Sequence, residues 1–299
     1  MKEPQDVPFE KEGQYLKSDN RSNISYFLEH NVLLRRFTLS VGVLANYNSA
    51  LNEGIHFYPG IDASYRIGDN VRLYGSWNRA LRMPTFTDLY YEGKTNKGNP
   101  DLKPEESEAF EVGLKYNTYF LRAHIAGFYR KGKNMIDWVK EKPEDIWESQ
   151  NLTKVDNLGF ETNLSLLPRE LGNERFFIRK IELGYAFIHQ DKDSEGYISN
   201  YALDYLKHKF TAQLSHSIWK GFSATWYVRW QDRAGSYTKY ENLKPAYEEP
   251  YAPYCLVDMK VNWEYQRLNL YAELNNLLNS TYYDLGNIPQ PGIWFNTQL

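Results

Sequence analysis

Read from its sequence, this chain is an all-β protein: an antiparallel transmembrane β-barrel, or a large part of one. Three observations predict it. Apolar and polar residues alternate with period two along roughly thirteen segments, and successive side chains leave a strand on opposite faces. Most of these segments run about 9–12 residues, the length a tilted strand needs to cross a bilayer, whereas strands of soluble proteins average about 5–6. Short turns alternate with long polar connections, as in a barrel with turns at one rim and loops at the other.

The segments follow in order. Phe37, Leu39, Val41, Val43, Ala45 and Tyr47 share one face, with Thr38, Ser40, Gly42 and Asn46 on the other. Val71, Leu73, Gly75 and Trp77 alternate with Arg72, Tyr74, Ser76 and Asn78. Phe110, Val112, Leu114 and Tyr116 alternate with Glu111, Gly113 and Lys115. The pattern runs on through Leu121 to Tyr129, Leu158 to Leu166, Ile181 to Phe187 and Phe210 to Ile218. Phe222, Ala224, Trp226 and Val228 are expected to face lipid, and Ser223, Thr225, Tyr227 and Arg229 the lumen. Val257 to Tyr265 closes the series. The polar face carries Arg, Lys, Glu, Asn and Gln in mid-strand, as a wet lumen allows. A large soluble sandwich with one solvated face has the same alternation and is the competing reading. Short turns fall at Ile67 to Asn70, Asn117 to Tyr119, Lys220 to Gly221 and Gln266 to Arg267. Long connections fall at Arg82 to Glu106, Lys140 to Glu148, Gln190 to Ala202 and Asp232 to Pro253.

Composition narrows the classes. The net charge of −3 argues against a nucleic-acid partner, which calls for a basic excess. Aromatics reach 16%, with 25 Tyr, 15 Phe and 8 Trp, which suits either interfacial girdles or an aromatic glycan-binding surface. Cys255 is the one cysteine, so an intramolecular disulfide is impossible. No apolar run is long enough for a transmembrane helix, but a barrel spreads its lipid face over alternate residues, so a mean hydropathy of −0.66 is compatible with one. Residues 1–21 form a polar segment with no apolar core of the signal-peptide kind. Asp191-Lys192-Asp193-Ser194-Glu195-Gly196 begins like a calcium loop but has no acidic residue at its twelfth position. No metal, cofactor or catalytic set is expected: the six histidines lack ligand spacing, and no nucleophile motif occurs.

Two stretches carry more information. Arg82-Met83-Pro84-Thr85-Phe86-Thr87-Asp88-Leu89-Tyr90-Tyr91 leads to Gly98-Asn99-Pro100-Asp101-Leu102-Lys103-Pro104-Glu105, and then to Glu111-Val112-Gly113-Leu114-Lys115. Asn-Pro and Lys-Pro steps fix turns in a long loop, and the proline rings keep that loop from joining the sheet. Near the end, Glu273-Leu274-Asn275-Asn276-Leu277-Leu278-Asn279 is followed by Tyr282-Tyr283 and by Pro289-Gln290-Pro291-Gly292. Together these stretches resemble the barrel signatures of TonB-dependent outer-membrane receptors, and the ending resembles the vitamin B12 and siderophore branch. Ile293 stands where that family usually has arginine.

The resemblance covers residues 22–299 and implies the later part of a barrel, about 13 of the family's 22 strands, with the plug domain absent. It implies a fragment of an import receptor with no covalent chemistry. Its partners would be outer-membrane lipid, a nutrient ligand such as a corrinoid or ferric chelate, and the TonB system acting through an N-terminal plug. Arg82, Pro84, Asn99, Pro100, Leu102, Pro104, Glu105, Glu111, Gly113, Asn275, Asn276, Leu277, Pro291 and Gly292 are expected to clasp loops, with Glu105 and Glu111 both able to pair with Arg82. Aromatics of the long loops, Trp138, Trp147, Tyr197, Tyr201, Tyr237, Tyr240 and Tyr247, are expected to meet a flat, amphipathic ligand. A soluble glycan-binding module and an outer-membrane barrel enzyme remain the alternatives.

Overall fold

The structure, a computed structural model, describes residues 20–49, 54–142, 144–172, 175–193, 196–199, 205–241, 244–286 and 288–298. Thirteen strands build its main sheet: β1 (Asn23–Leu33), β2 (Phe37–Asn48), β3 (Ile55–Ile67), β4 (Val71–Arg82), β5 (Glu105–Asn117), β6 (Leu121–Lys140), β7 (Trp147–Leu166), β8 (Ile178–Asp193), β9 (Leu206–Trp219), β10 (Phe222–Arg233), β11 (Tyr254–Tyr265), β12 (Leu268–Asn275) and β13 (Trp294–Gln298). Each pairs antiparallel with the next in chain order, and among the described residues β1 and β13 do not pair. The result is a partial barrel whose described residues hold no plug.

The series above leaves out β1, β12, β13 and also β3, whose Pro59 argues against a central position. Its ladder with β4 begins only at Gly60, paired with Asn78, so the missing N–H falls where the pairing stops. A second difference lies in β6 and β7. Both have 20 residues, so Lys140, Trp147 and Glu148, given above to a long connection, are strand residues, as is Trp138. At roughly 3.3 Å per residue such a hairpin outreaches the ~25 Å apolar band of a barrel even when tilted.

The shortest connections lie at one rim and the longest at the other: every odd-numbered strand up to β11 ends in a turn of two or three residues, except β7, whose connection holds the 3-10 turn Pro168–Leu171. Register fixes the faces. The row Trp77–Phe110–Tyr129–Leu158 runs across four strands on one side, and the row Tyr74–Gly113–Ala126–Glu161 on the other. On the first side Val41, Ile61, Leu73, Val112, Ile125, Leu158 and Leu183 are exposed, forming a continuous apolar belt. Aromatics bound this belt. Phe160, Tyr185, Phe187, His208 and Trp230 interlock towards the loop rim, and Phe222, Trp263 and Tyr265 stack towards the turn rim. From Phe222 to Trp230 on one strand is roughly 26 Å, close to a bilayer core once tilt is allowed for. The other face is polar and concave, with hollows of about 710 and 640 Å³. Phe222, Ala224, Trp226 and Val228 share the apolar face, and Tyr227 and Arg229 line the polar hollow.

No core lies between sheets. The dry residues, among them Asp88, Glu105, Asp137, Trp138, Val139, Ser149 and Asn276, gather near the loop rim.

Candidate functional site: the long-loop rim

Where β4 ends, Arg82 forks onto Glu105, with Nε 2.5 Å from Oε2 and Nη2 2.8 Å from Oε1. Glu105 Oε1 also accepts the backbone N–H of Ile136 at 2.7 Å, tying the 83–104 loop to the projecting hairpin. Bidentate, charge-assisted bonds of this kind hold geometry tightly. The helix α1 (Phe86–Tyr90) starts at a capping box between Thr85 and Asp88. The Asp88 carbonyl accepts the Ser149 hydroxyl at 2.6 Å and the Asn99 N–H at 2.9 Å. Asn99 Oδ1 takes the N–H of Asp101 at 2.9 Å, so Pro100 sits inside a side-chain-closed turn. Gly98 has no room for a side chain: an added Cβ would lie 2.8 Å from Leu89 and Tyr90 backbone atoms. Asn151 bonds both the N–H and the carbonyl of Lys103, next to Pro104, at 2.8 and 2.9 Å. Leu102 is half-buried in the same loop. The Pro84 carbonyl accepts Arg21 Nη1 at 2.7 Å.

Trp138 is buried in this layer, edge-on to Tyr91 at 6.2 Å. Its neighbour Asp137 is buried and accepts the Ser199 hydroxyl and the Trp138 N–H. The row Glu111-Val112-Gly113 lies away from the rim. Glu111 does not meet Arg82; it accepts the Tyr74 hydroxyl at 2.7 Å on the inner face, because Ser76, not Arg82, is its register partner.

The second cluster is built on Asn276, held at φ 52°. Its N–H donates to Asp258 at 2.7 Å, its amide N–H to the Ser280 and Pro291 carbonyls, and its Oδ1 accepts the Ser280 N–H. The Leu277 N–H reaches the Val257 carbonyl at 2.8 Å. Gly292 leaves space for Asn279, whose Oδ1 accepts the Ile293 N–H at 3.0 Å. Asn275 ends β12 opposite Trp294.

The third cluster is a two-stranded hairpin, Ser236–Glu241 with Lys244–Pro250. At its base Tyr237 packs on Tyr251 and Tyr283, each at 5.1 Å, and is only 7% exposed. The Arg233 guanidinium lies over Tyr251 at 4.8 Å. Lys239 Nζ sits 2.6 Å from Glu249, whose carboxylate also accepts the Tyr237 hydroxyl at 3.1 Å. The lysine bond holds the Glu249 carboxyl below its ordinary range; burial and the Glu249 bond push the Tyr237 phenol up.

Of the loop aromatics, Trp138 and Tyr237 are therefore packed inward, against expectation, because Trp138 packs on Tyr91 of the 83–104 loop and Tyr237 on Tyr251 and Tyr283. Tyr247 is 50% exposed, Tyr197 is half-buried, and Trp147 is half-buried beneath Lys140 Nζ at 4.5 Å. Tyr240 belongs to the projecting hairpin; Tyr201 lies outside the described residues. Sequence reasoning missed Ser149 and Asn151, which bond Asp88 and Lys103 across 61 and 48 residues and leave no local signal; it also passed over Asp88, whose capping box with Thr85 was a local signal. Asp191 and Asp193, read as the start of a calcium loop, are strand residues paired with Asp156 and Lys154. Among the described residues no cluster of metal-ligating side chains occurs.

An apolar belt edged by aromatics, a polar concave face and a rim of interlocked loops together define the wall of a membrane-spanning β-barrel. A family model described as "TonB dependent receptor-like, beta-barrel" matches residues 4–277, and the chain belongs to that family. It is 25% identical over 191 residues to the vitamin B12 transporter BtuB of Vibrio vulnificus, a match covering 58% of this chain and 30% of that protein. It is 22% identical over 297 residues to the ferrienterobactin receptor of Escherichia coli, covering 90% of this chain and 38% of that protein. The chain thus spans about a third of the length of these relatives. A variant of the ferric enterobactin receptor PfeA from Pseudomonas aeruginosa, solved with enterobactin, superposes with a TM-score of 0.72 at 20% identity, over 93% of this chain and 45% of that one. The siderophore receptor PirA of the same species gives 0.67 at 16%, over 93% and 47%. These structural likenesses show the fold. The soluble sandwich drops out with them.

Proposed function

We propose that this chain forms the membrane wall and part of the capture surface of an outer-membrane receptor that imports a scarce, bulky nutrient, a corrinoid such as vitamin B12 or a ferric siderophore. The aromatic, tightly braced loop rim above a lipid-facing belt carries the proposal, since it offers flat apolar surface at the one end of the wall that a ligand from outside would meet. The names of the relatives, a vitamin B12 transporter and enterobactin receptors, support the ligand class. Import would be driven by TonB pulling on a plug domain, and the chain would do no covalent chemistry. Within the rim, the pairs Arg82–Glu105 and Asn276–Ser280 brace loops, Trp138 and Tyr237 anchor the hairpins, and Trp147, Tyr197 and Tyr247 present themselves to ligand.

The test is uptake by the full-length receptor. Replacing Trp147, Tyr197 and Tyr247 together by alanine is expected to weaken uptake of cyanocobalamin or of ferric enterobactin by about tenfold or more, the usual scale for losing aromatic anchors. Unchanged apparent affinity for both would remove the rim as the capture surface.

A further inference from the structure

The apolar outer face of the last four strands carries a trough. Register places Ala224, Val261, Ala272 and Thr297 in one row across β10, β11, β12 and β13. Bulkier rows flank it. Phe222, Trp263 and Leu270 lie two residues nearer the turn rim, and Trp226, Met259, Leu274 and Phe295 two residues nearer the loop rim. Residues two apart on a strand share a face, so short side chains between two rows of long ones leave a channel across the strands. With strands ~4.8 Å apart it is about 15 Å long. Ala224 is covered by its neighbours, at 3% exposure, so the open part runs from Val261 to Thr297, a hollow of about 650 Å³. Barrel strands are tilted, so a channel across them is tilted too, and a chain entering from the turn rim can follow it into the membrane.

Two cations stand at the turn-rim mouth of this trough. Lys220 lies in the β9–β10 turn and Arg267 in the β11–β12 turn, and both are exposed. The turns are two strands apart, so the cations start roughly 10 Å from each other. Their long stems let both reach one phosphate. Lys220 Nζ stands over the Trp219 ring at 4.9 Å. Glu264 is the carboxylate beside both turns, since its N–H donates to the Gly221 carbonyl at 3.1 Å. It alternates with Trp263 and Tyr265 and so leaves β11 on the inner face, where it accepts the Asn262 amide at 3.0 Å. Among the described residues no ion pair holds Lys220 or Arg267. Between the cations and the trough, Trp263 stacks on Phe222 at 5.9 Å and on Tyr265 at 5.8 Å, as rings at a membrane interface do.

We propose that this face binds one anionic phospholipid. Its phosphate sits between Lys220 and Arg267, its glycerol against the Phe222–Trp263–Tyr265 stack, and an acyl chain in the trough. Charge, rings and trough follow one another in the order of headgroup, glycerol and tail. Inorganic phosphate would use the cations and leave the trough empty. A zwitterionic lipid carries its own cation and gains less from Lys220 and Arg267. The inference rests on the barrel wall and not on the nutrient carried.

The experiment uses the full-length receptor in neutral detergent micelles, with native mass spectrometry reading the binding of dioleoylphosphatidylglycerol and dioleoylphosphatidylcholine. We expect the phosphatidylglycerol to bind about tenfold or more tightly, and Lys220→Gln/Arg267→Gln to remove most of that preference, the scale of two cations at a membrane surface. Arg35→Gln/Arg36→Gln, in the β1–β2 turn at the same rim, should leave the preference intact. Ala272→Trp, which fills the trough, should weaken both lipids alike; Ala272→Leu serves if heat-modifiable gel mobility shows that the tryptophan variant does not fold. Inorganic phosphate at matched ionic strength should not displace phosphatidylglycerol. Equal binding of the two lipids by the parent overturns the proposal. So does a preference that survives in Lys220→Gln/Arg267→Gln, or one lost equally in Arg35→Gln/Arg36→Gln, which would mark a diffuse surface attraction. Displacement by phosphate would leave a bare anion site, and undiminished binding in the filled-trough variant would leave no place for the chain; either result overturns the phospholipid site.

Discussion

Gly113 shows what one residue does in this wall. An added Cβ there would lie 2.5 Å from the Tyr74 ring, whose hydroxyl bonds Glu111 and His124, both at 2.7 Å, while Lys115 covers the ring. Glu111, Gly113 and Lys115 together seat one tyrosine: an acceptor, a gap and a cation. In the full-length receptor we expect Gly113→Ala to lower stability by ~1–3 kcal/mol, the scale of overpacking, because the ring must swing out and give up its bonds. The same change in a Tyr74→Ala background should cost little. Additive costs in urea denaturation would show that the two residues do not interact. The spacing of Glu111, Gly113 and Lys115 was legible in the sequence, but its partner was not. Tyr74 is chosen by the β4–β5 register, which no local pattern encodes.

At the scale of elements, alternation located most strands and misjudged where two of them end. Strands β6 and β7 continue beyond the belt because backbone pairing does not require an apolar face, so Trp147 and Glu148 read as loop and belong to a strand. The Ser236–Pro250 hairpin is held by a small titrating group. Glu249 is more acidic folded than unfolded, so its contribution is present above the ordinary carboxylate range and is lost as pH falls through its depressed folded value. Lys239 is raised by that same bond to Glu249, so the pair also holds through neutral pH and fades on the alkaline side only in strong base. We expect the hairpin to loosen at acid pH while the sheet persists, seen as faster amide exchange at residues 236–241 and 244–250. Glu249→Gln should make that exchange fast at neutral pH as well. Exchange indifferent to pH in the parent, after correction for the intrinsic rate, would rule the pair out as the hairpin's lock.

For the molecule as a whole, the open edges matter most. Ile24, Tyr26 and Leu28 on β1 and Phe295 on β13 are exposed, and neither strand pairs outward among the described residues. In hydrocarbon each unpaired backbone group costs several kcal/mol, and in water open edges invite strand addition. Residues 1–299 expressed alone in an outer membrane should therefore give no compact, heat-modifiable band on a gel. Co-expression with the strands of a complete family barrel should restore one. A heat-modifiable band from the chain alone would show that β1 and β13 can meet.

The sequence by itself determined the strand period, the two faces, the alternation of short and long connections, and the family. Each is written in neighbouring residues, since side-chain direction repeats every second position and turns need particular backbone chemistry. Only the tertiary structure decided that Trp138 and Tyr237 are anchors, that Glu105 and not Glu111 takes Arg82, and that Ala224, Val261, Ala272 and Thr297 fall in one row. Those facts depend on which residue of one strand lies opposite which residue of another. Register is set by the sum of all pairings across the sheet, and it is not stored in any one segment.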